Sequence, residues 1–107
     1  MAVFTPNGVA KQGDKGSVVL KPGPAVETWA RGASVEVAWG IRFNHGGGYQ
    51  YRLCPASEAL TEECFMRMPL EFNRSMQQLR WNNGSRLSIQ GTWVDTGTNP
   101  IGSTWAR

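Results

Sequence analysis

The sequence predicts an all-β domain: a β-sandwich, or part of one, with one short helix and long loops. Three observations carry this expectation. Apolar residues alternate with polar ones at period two in the longest patterned stretch, Val35 to Phe43. Turn-forming residues are frequent, with 13 glycines and 6 prolines in 107 residues. A helical signal arises once, in the short stretch Pro55 to Phe65. Many short strands between frequent turns are the pattern of two packed antiparallel sheets.

Residues 1–34 read as an irregular N-terminal arm of the same domain, rich in Gly, Pro, Lys and Ser. Within it Ser17-Val18-Val19-Leu20 is expected as a short strand, ended by Lys21-Pro22-Gly23-Pro24. The core is expected over residues 35–107. Val35, Val37, Trp39, Ile41 and Phe43 fall on one face of a strand and Glu36, Ala38, Gly40 and Arg42 on the other. The first set is expected to face the core. Tyr49, Tyr51 and Leu53 alternate again after Gly46-Gly47-Gly48, where glycine turns the chain at little steric cost. This predicts two antiparallel strands joined by a loop containing His45. Thr61 is the expected N-cap of the helical stretch, with Glu62 and Glu63 in its first turn. Leu70-Glu71-Phe72, Gln78 to Trp81, Arg86 to Ile89 and Gly91 to Asp95 read as further short strands. Asn82-Asn83-Gly84-Ser85 is a hairpin turn between two of them. Asn99-Pro100 and Gly102 break the chain again.

A chain of this length is one domain or part of one. The net charge of +3 is scattered, without the concentrated basic patch of a nucleic-acid interface. No apolar stretch approaches the roughly 20 residues that span a bilayer. Met1-Ala2-Val3-Phe4 runs straight into Thr5-Pro6-Asn7-Gly8 with no visible secretory leader, a start that suits a piece of a longer protein. Cys54 and Cys64 are the two cysteines. They lack the spacing of a zinc site, and a disulfide closing their short loop is preferred over free thiols. The sequons Asn73-Arg74-Ser75 and Asn83-Gly84-Ser85 agree with secretion, although such triplets also arise by chance.

His45 is the only histidine. Held at a glycine-rich turn, its imidazole is placed to meet solvent, a ligand or a metal, and it is the candidate metal ligand of this chain. A plain solvent-exposed turn histidine is the simpler reading of the same pattern. Glu62 and Glu63 suit a helix cap and a charged surface better than a general acid/base pair, since no partner near in sequence would tune them. Five tryptophans are a heavy load for the length, and flat aromatic faces serve either a core or a sugar-binding surface.

One segment resembles a known family. Asn44-His45, then glycine, then an aromatic-x-aromatic strand ending Arg52-Leu53-Cys54-Pro55, is similar to the second-histidine segment of lytic polysaccharide monooxygenases. The likeness is to their animal and algal branch with a chitin-binding type-4 domain. Trp29 to Val37 upstream, and Leu79 to Ser85, Gly91 to Asp95 and Gly102 to Arg107 downstream, resemble the same family, so the likeness spans roughly residues 29 to 107. It implies an immunoglobulin-like or fibronectin III-like sandwich over residues 35–107. It also implies secretion, a monomer, and an insoluble polysaccharide, chitin or cellulose, as partner.

The family's chemistry is oxidative cleavage at a surface copper held by two histidine rings and an N-terminal amine. Imidazole nitrogen suits that metal. By resemblance His45 is one such ligand, Tyr49 and Tyr51 are candidates for support near it, and Cys54 and Cys64 brace the following loop. The family's first histidine has no counterpart in this sequence, and its axial Tyr or Phe would lie beyond Arg107. Copper binding by the chain as given is therefore expected to be weak or absent, and no catalytic residue is assigned. The competing expectation is a non-catalytic carbohydrate-binding or extracellular structural module.

Overall fold

Two small antiparallel ladders hold the regular structure of the protein, a computed structural model that describes residues 10–74 and 77–107. The elements in chain order are α1 (Gly16–Val19), α2 (Glu62–Met66), β1 (Gln77–Arg80), β2 (Arg86–Ile89), β3 (Trp93–Val94) and β4 (Trp105–Ala106). Strands and loops dominate and helix is scarce. β1 pairs with β2, Gln77 opposite Ile89 through Arg80 opposite Arg86. β3 pairs with β4, Trp93 opposite Ala106 and Val94 opposite Trp105. The first nine residues of the expected arm, and Ser75 of one sequon, lie outside the described residues.

Local chemistry explains the elements that form where expected. The Thr61 hydroxyl accepts from the Cys64 N–H at 3.2 Å, capping α2, and Glu62 and Glu63 occupy its first turn. The β1–β2 hairpin closes with Trp81 N–H to the Ser85 carbonyl at 3.0 Å and Gly84 N–H to the Trp81 carbonyl at 2.9 Å. Gly84 takes φ of 87°, the left-handed geometry that lets a three-residue loop turn with a bulge.

The segment after the glycines is a short extended piece. Tyr49 exchanges both backbone bonds with Ala106, each 2.9 Å. Further along, Leu53 N–H donates to Met68 and Leu70 N–H donates to Tyr51, framing an isolated bridge between Arg52 and Pro69. The Arg107 N–H donates to Thr92, so β4 lies between β3 and the Tyr49 segment. Cross-strand neighbours share a face. Tyr49, Ala106 and Trp93 therefore point one way, and Phe72 joins them with ring centroids 5.7 Å from Tyr49, 6.3 Å from Tyr51 and 5.0 Å from Trp93. This aromatic cluster, with fully buried Ala106 and nearly buried Cys64, is the core among the described residues.

Three expectations fail. Leu70-Glu71-Phe72 forms no strand, with only the neighbouring Pro69 bridged to Arg52. Ser17-Val18-Val19-Leu20 is not a strand: α1 occupies Gly16–Val19. Four residues with no ladder partner close a single helical turn instead, Leu20 N–H donating to Gly16 at 3.0 Å.

The larger correction is Val35 to Phe43, which forms no strand and does not face a core. Its alternating apolar residues are exposed, from 40 % at Val35 to 70 % at Phe43. Alternation makes a strand only where backbone partners exist. Residues 35–43 make no backbone hydrogen bond among the described residues, while Tyr49, Tyr51 and Leu53 bond to Ala106, Leu70 and Met68. Two side-chain contacts tie the segment down: Glu36 pairs with Arg80, and Trp39 packs on Tyr49 at 5.0 Å.

Candidate functional site

The loop carrying His45 is shaped by its own side chains. The Asn44 Oδ1 accepts the Gly46 N–H at 2.9 Å, an Asx-turn, and Gly46 and Gly47 both take positive φ. His45 is thus held outward and exposed, its ring stacked beside Phe43 with centroids 6.4 Å apart. Tyr49 and Tyr51 do not reach outward with it. They turn into the aromatic cluster, their rings 6.0 Å apart, and the Tyr51 phenol is pushed up from its ordinary pKa by burial first and by Tyr49 second. Their part is to anchor the segment beneath the loop.

Cys54 and Cys64 are disulfide-bonded, with Cα atoms 5.4 Å apart. The bridge fixes α2 against the extended segment. Two residues before each cysteine stand Arg52 and Glu62, which pair at 3.3 Å. The Ser17 hydroxyl also donates to Glu62, and Arg52 Nη1 reaches the Met66 sulfur at 2.9 Å. The Glu62 carboxyl is held below its usual pKa by the Ser17 hydrogen bond first, then by Arg52 and Lys15.

Sequence reading placed Glu62 at a helix cap and missed its ion pair. A signal for it existed: Arg52 alternates away from Tyr51, and a 54–64 bridge sets residues 52 and 62 side by side. Around this pair lies a cleft of about 380 Å³, lined among others by Lys15, Gln50, Asn99 and Trp105. It opens on the sheet face opposite the aromatic cluster, and His45 is not part of its wall.

A third polar group is also outside the sequence reading. Arg74 grips Asp95 through two bonds of 2.9 and 2.5 Å, and Thr104 bonds to both. It clamps the approach to β4 rather than forming a cavity.

A copper centre needs several nitrogen donors in one place. Among the described residues no group of three or more His, Cys, Asp or Glu side chains comes together to hold a metal. His45 offers one imidazole, and the sequence holds no second. The described residues therefore do not fit a copper site complete in itself.

No family model, curated protein or solved structure matches the chain.

Proposed function

We propose that this chain is a secreted, polysaccharide-facing β-sandwich domain of the lytic polysaccharide monooxygenase kind. His45 is its one recognisable copper-type ligand. The observation that carries the reading is the exposed ring surface at His45. Phe43 stacks beside the imidazole at 70 % exposure, and Trp39 stands nearby in sequence at 52 %. The exposed rings of Phe43 and His45, beside a turn held by Asn44 and two positive-φ glycines, suit the planar face of an insoluble β-linked glucan or chitin. The ring order also follows the resemblance: loop histidine, aromatic-x-aromatic segment, then disulfide.

A single imidazole beside exposed rings supports the carbohydrate-binding role more directly than the oxidative one. Pull-down on chitin and on cellulose, in chelator, tests it directly. Retention on either polymer, lost in Phe43→Ala and Trp39→Ala, is the expected result. Equal retention of the double variant removes the reading. Copper titration tests the ligand role: weak Cu(II) binding is expected, abolished in His45→Ala. Tight binding untouched by His45→Ala would overturn that assignment.

A further inference from the structure

We infer that Asn83, at the tip of the β1–β2 hairpin, is an N-glycan acceptor whose first sugar packs on Trp81. The inference rests on the secreted reading above for its setting, but its geometry is independent of His45. Asn83-Gly84-Ser85 is a sequon in an exposed turn. The Asn83 Oδ1 accepts from the Ser85 N–H at 2.9 Å and from the Ser85 hydroxyl at 2.7 Å. Both bonds engage the carbonyl oxygen, and the amide nitrogen forms none among the described residues. Asn83 itself is exposed, and Gly84 beside it has no heavy atom within 4 Å of the position a Cβ would take.

Trp81 supplies the second observation. Its N–H bonds to the Ser85 carbonyl, continuing the ladder in which Arg80 faces Arg86. Trp81 and Ser85 are therefore cross-strand neighbours, and their side chains share a face. The Ser85 hydroxyl draws the Asn83 carboxamide to that same face. Trp81 is 50 % exposed, and exposed indole surface can take the C–H face of a hexosamine ring. Leu79 and Leu87 continue this face along the hairpin at 44 % and 52 % exposure. A glycan lying back from Asn83 would cover an apolar strip on a two-stranded ladder with open edges, the kind of surface that pairs wrongly with other chains. The other sequon includes Ser75, outside the described residues, and differs in sequence before it. Glu71, not an aromatic residue, stands two positions before Asn73, and Arg74 between its members is clamped to Asp95.

The transfer balances with a lipid-diphosphate-linked oligosaccharide as donor. The bond from the sugar C1 to the diphosphate oxygen breaks, a bond from C1 to Asn83 Nδ2 forms, the amide loses one proton to a base, and lipid diphosphate leaves. The test expresses the full chain behind a cleavable secretory leader in microsomes holding that donor. Protease protection reports import separately from modification. Imported chain should gain the mass of one glycan, removable by peptide N-glycosidase, lost in Asn83→Gln and in Ser85→Ala and kept in Asn73→Gln. Imported chain left unmodified at Asn83 overturns the proposal.

Against the Ser85→Ala form, the glycosylated chain should melt about 2–6 °C higher, an order of magnitude set by one aromatic contact in a small domain. Trp81→Ala should keep the glycan and lose that gain. A gain unchanged in Trp81→Ala overturns the stacking. The secreted reading is checked apart from this by the thiol state of Cys54 and Cys64 in the source cell, where reduced thiols would refute secretion without touching the acceptor geometry.

Discussion

Gly48 lies against the backbone of Ala106 so closely that a Cβ on it would meet the Ala106 carbonyl oxygen at 2.7 Å. The next residue, Tyr49, makes the two backbone bonds that fasten the His45 loop to β4. The third glycine of the run is therefore a contact glycine, whereas Gly46 and Gly47 serve the turn through positive φ. Gly48→Ala should cost about 1–3 kcal/mol, the range for overpacking against a partner that cannot move freely. Urea unfolding measures it. Gly47→Ala should leave the Tyr49–Ala106 pairing intact, so protection of the Tyr49 amide from hydrogen exchange should fall in the first variant and hold in the second.

Phe72 and Trp39 both touch Tyr49, yet they stand in different surroundings. Phe72 meets three rings at once, while Trp39 meets only Tyr49 among the described rings and is 52 % exposed. Phe72→Ala is expected to cost about 2–3 kcal/mol, below the ~3–5 of a fully buried ring. Trp39→Ala should cost about 1 kcal/mol, the worth of one aromatic pair with partial burial. Equal losses would place residues 35–43 in the core after all.

These two residues also show what was legible in sequence. Thr61, Gly84 and the Asn82–Ser85 turn act through neighbours in the chain, and their elements appear where the residues put them. Val35 to Phe43 carries a stronger pattern than any of these and forms no strand. Period-two alternation describes which side chains could share a face, but a strand also needs a backbone partner far away in sequence. The Tyr49 to Leu53 segment pairs instead with Ala106, Leu70 and Met68, which no local pattern announces. The candidate site divides the same way. The exposure of His45 follows from Asn44 and the glycines beside it. The Ser17–Glu62–Arg52 group joins residues up to 45 apart and becomes visible only when the 54–64 bridge is in place.

That bridge should be separable from the ion pair it aligns. Replacing both cysteines with serine is expected to lower stability by about 2–3 kcal/mol, the chain-entropy worth of a short closed loop. A double-mutant cycle on Arg52 and Glu62 should give a small favourable coupling in the oxidised chain, as befits a solvent-screened pair. In the cysteine-free chain the coupling should fall to zero. Coupling that survives without the disulfide would show that Ser17 and Met66 alone hold the pair.

The lowered pKa of Glu62 has a definite pH signature. Its carboxyl accepts from Ser17 and faces Arg52 and Lys15, all of which favour the ionised form in the folded chain. A group whose folded pKa lies below its unfolded one binds fewer protons when folded. Its contribution is therefore complete above the unfolded value of about 4.3 and is lost as pH falls through the folded value. Stability of the native chain should decline from about pH 5 downward. Glu62→Gln, which keeps the shape and removes the titration, should show a shallower decline over the same window. Asp95, depressed by Arg74 and Thr104, should account for much of what remains, so Glu62→Gln with Asp95→Asn should be flatter still. Half-exposed groups are screened, so added salt should shrink the difference between native chain and variant. A pH profile of melting temperature unchanged by Glu62→Gln would mean that the Ser17 and Arg52 contacts do not bias its proton in solution.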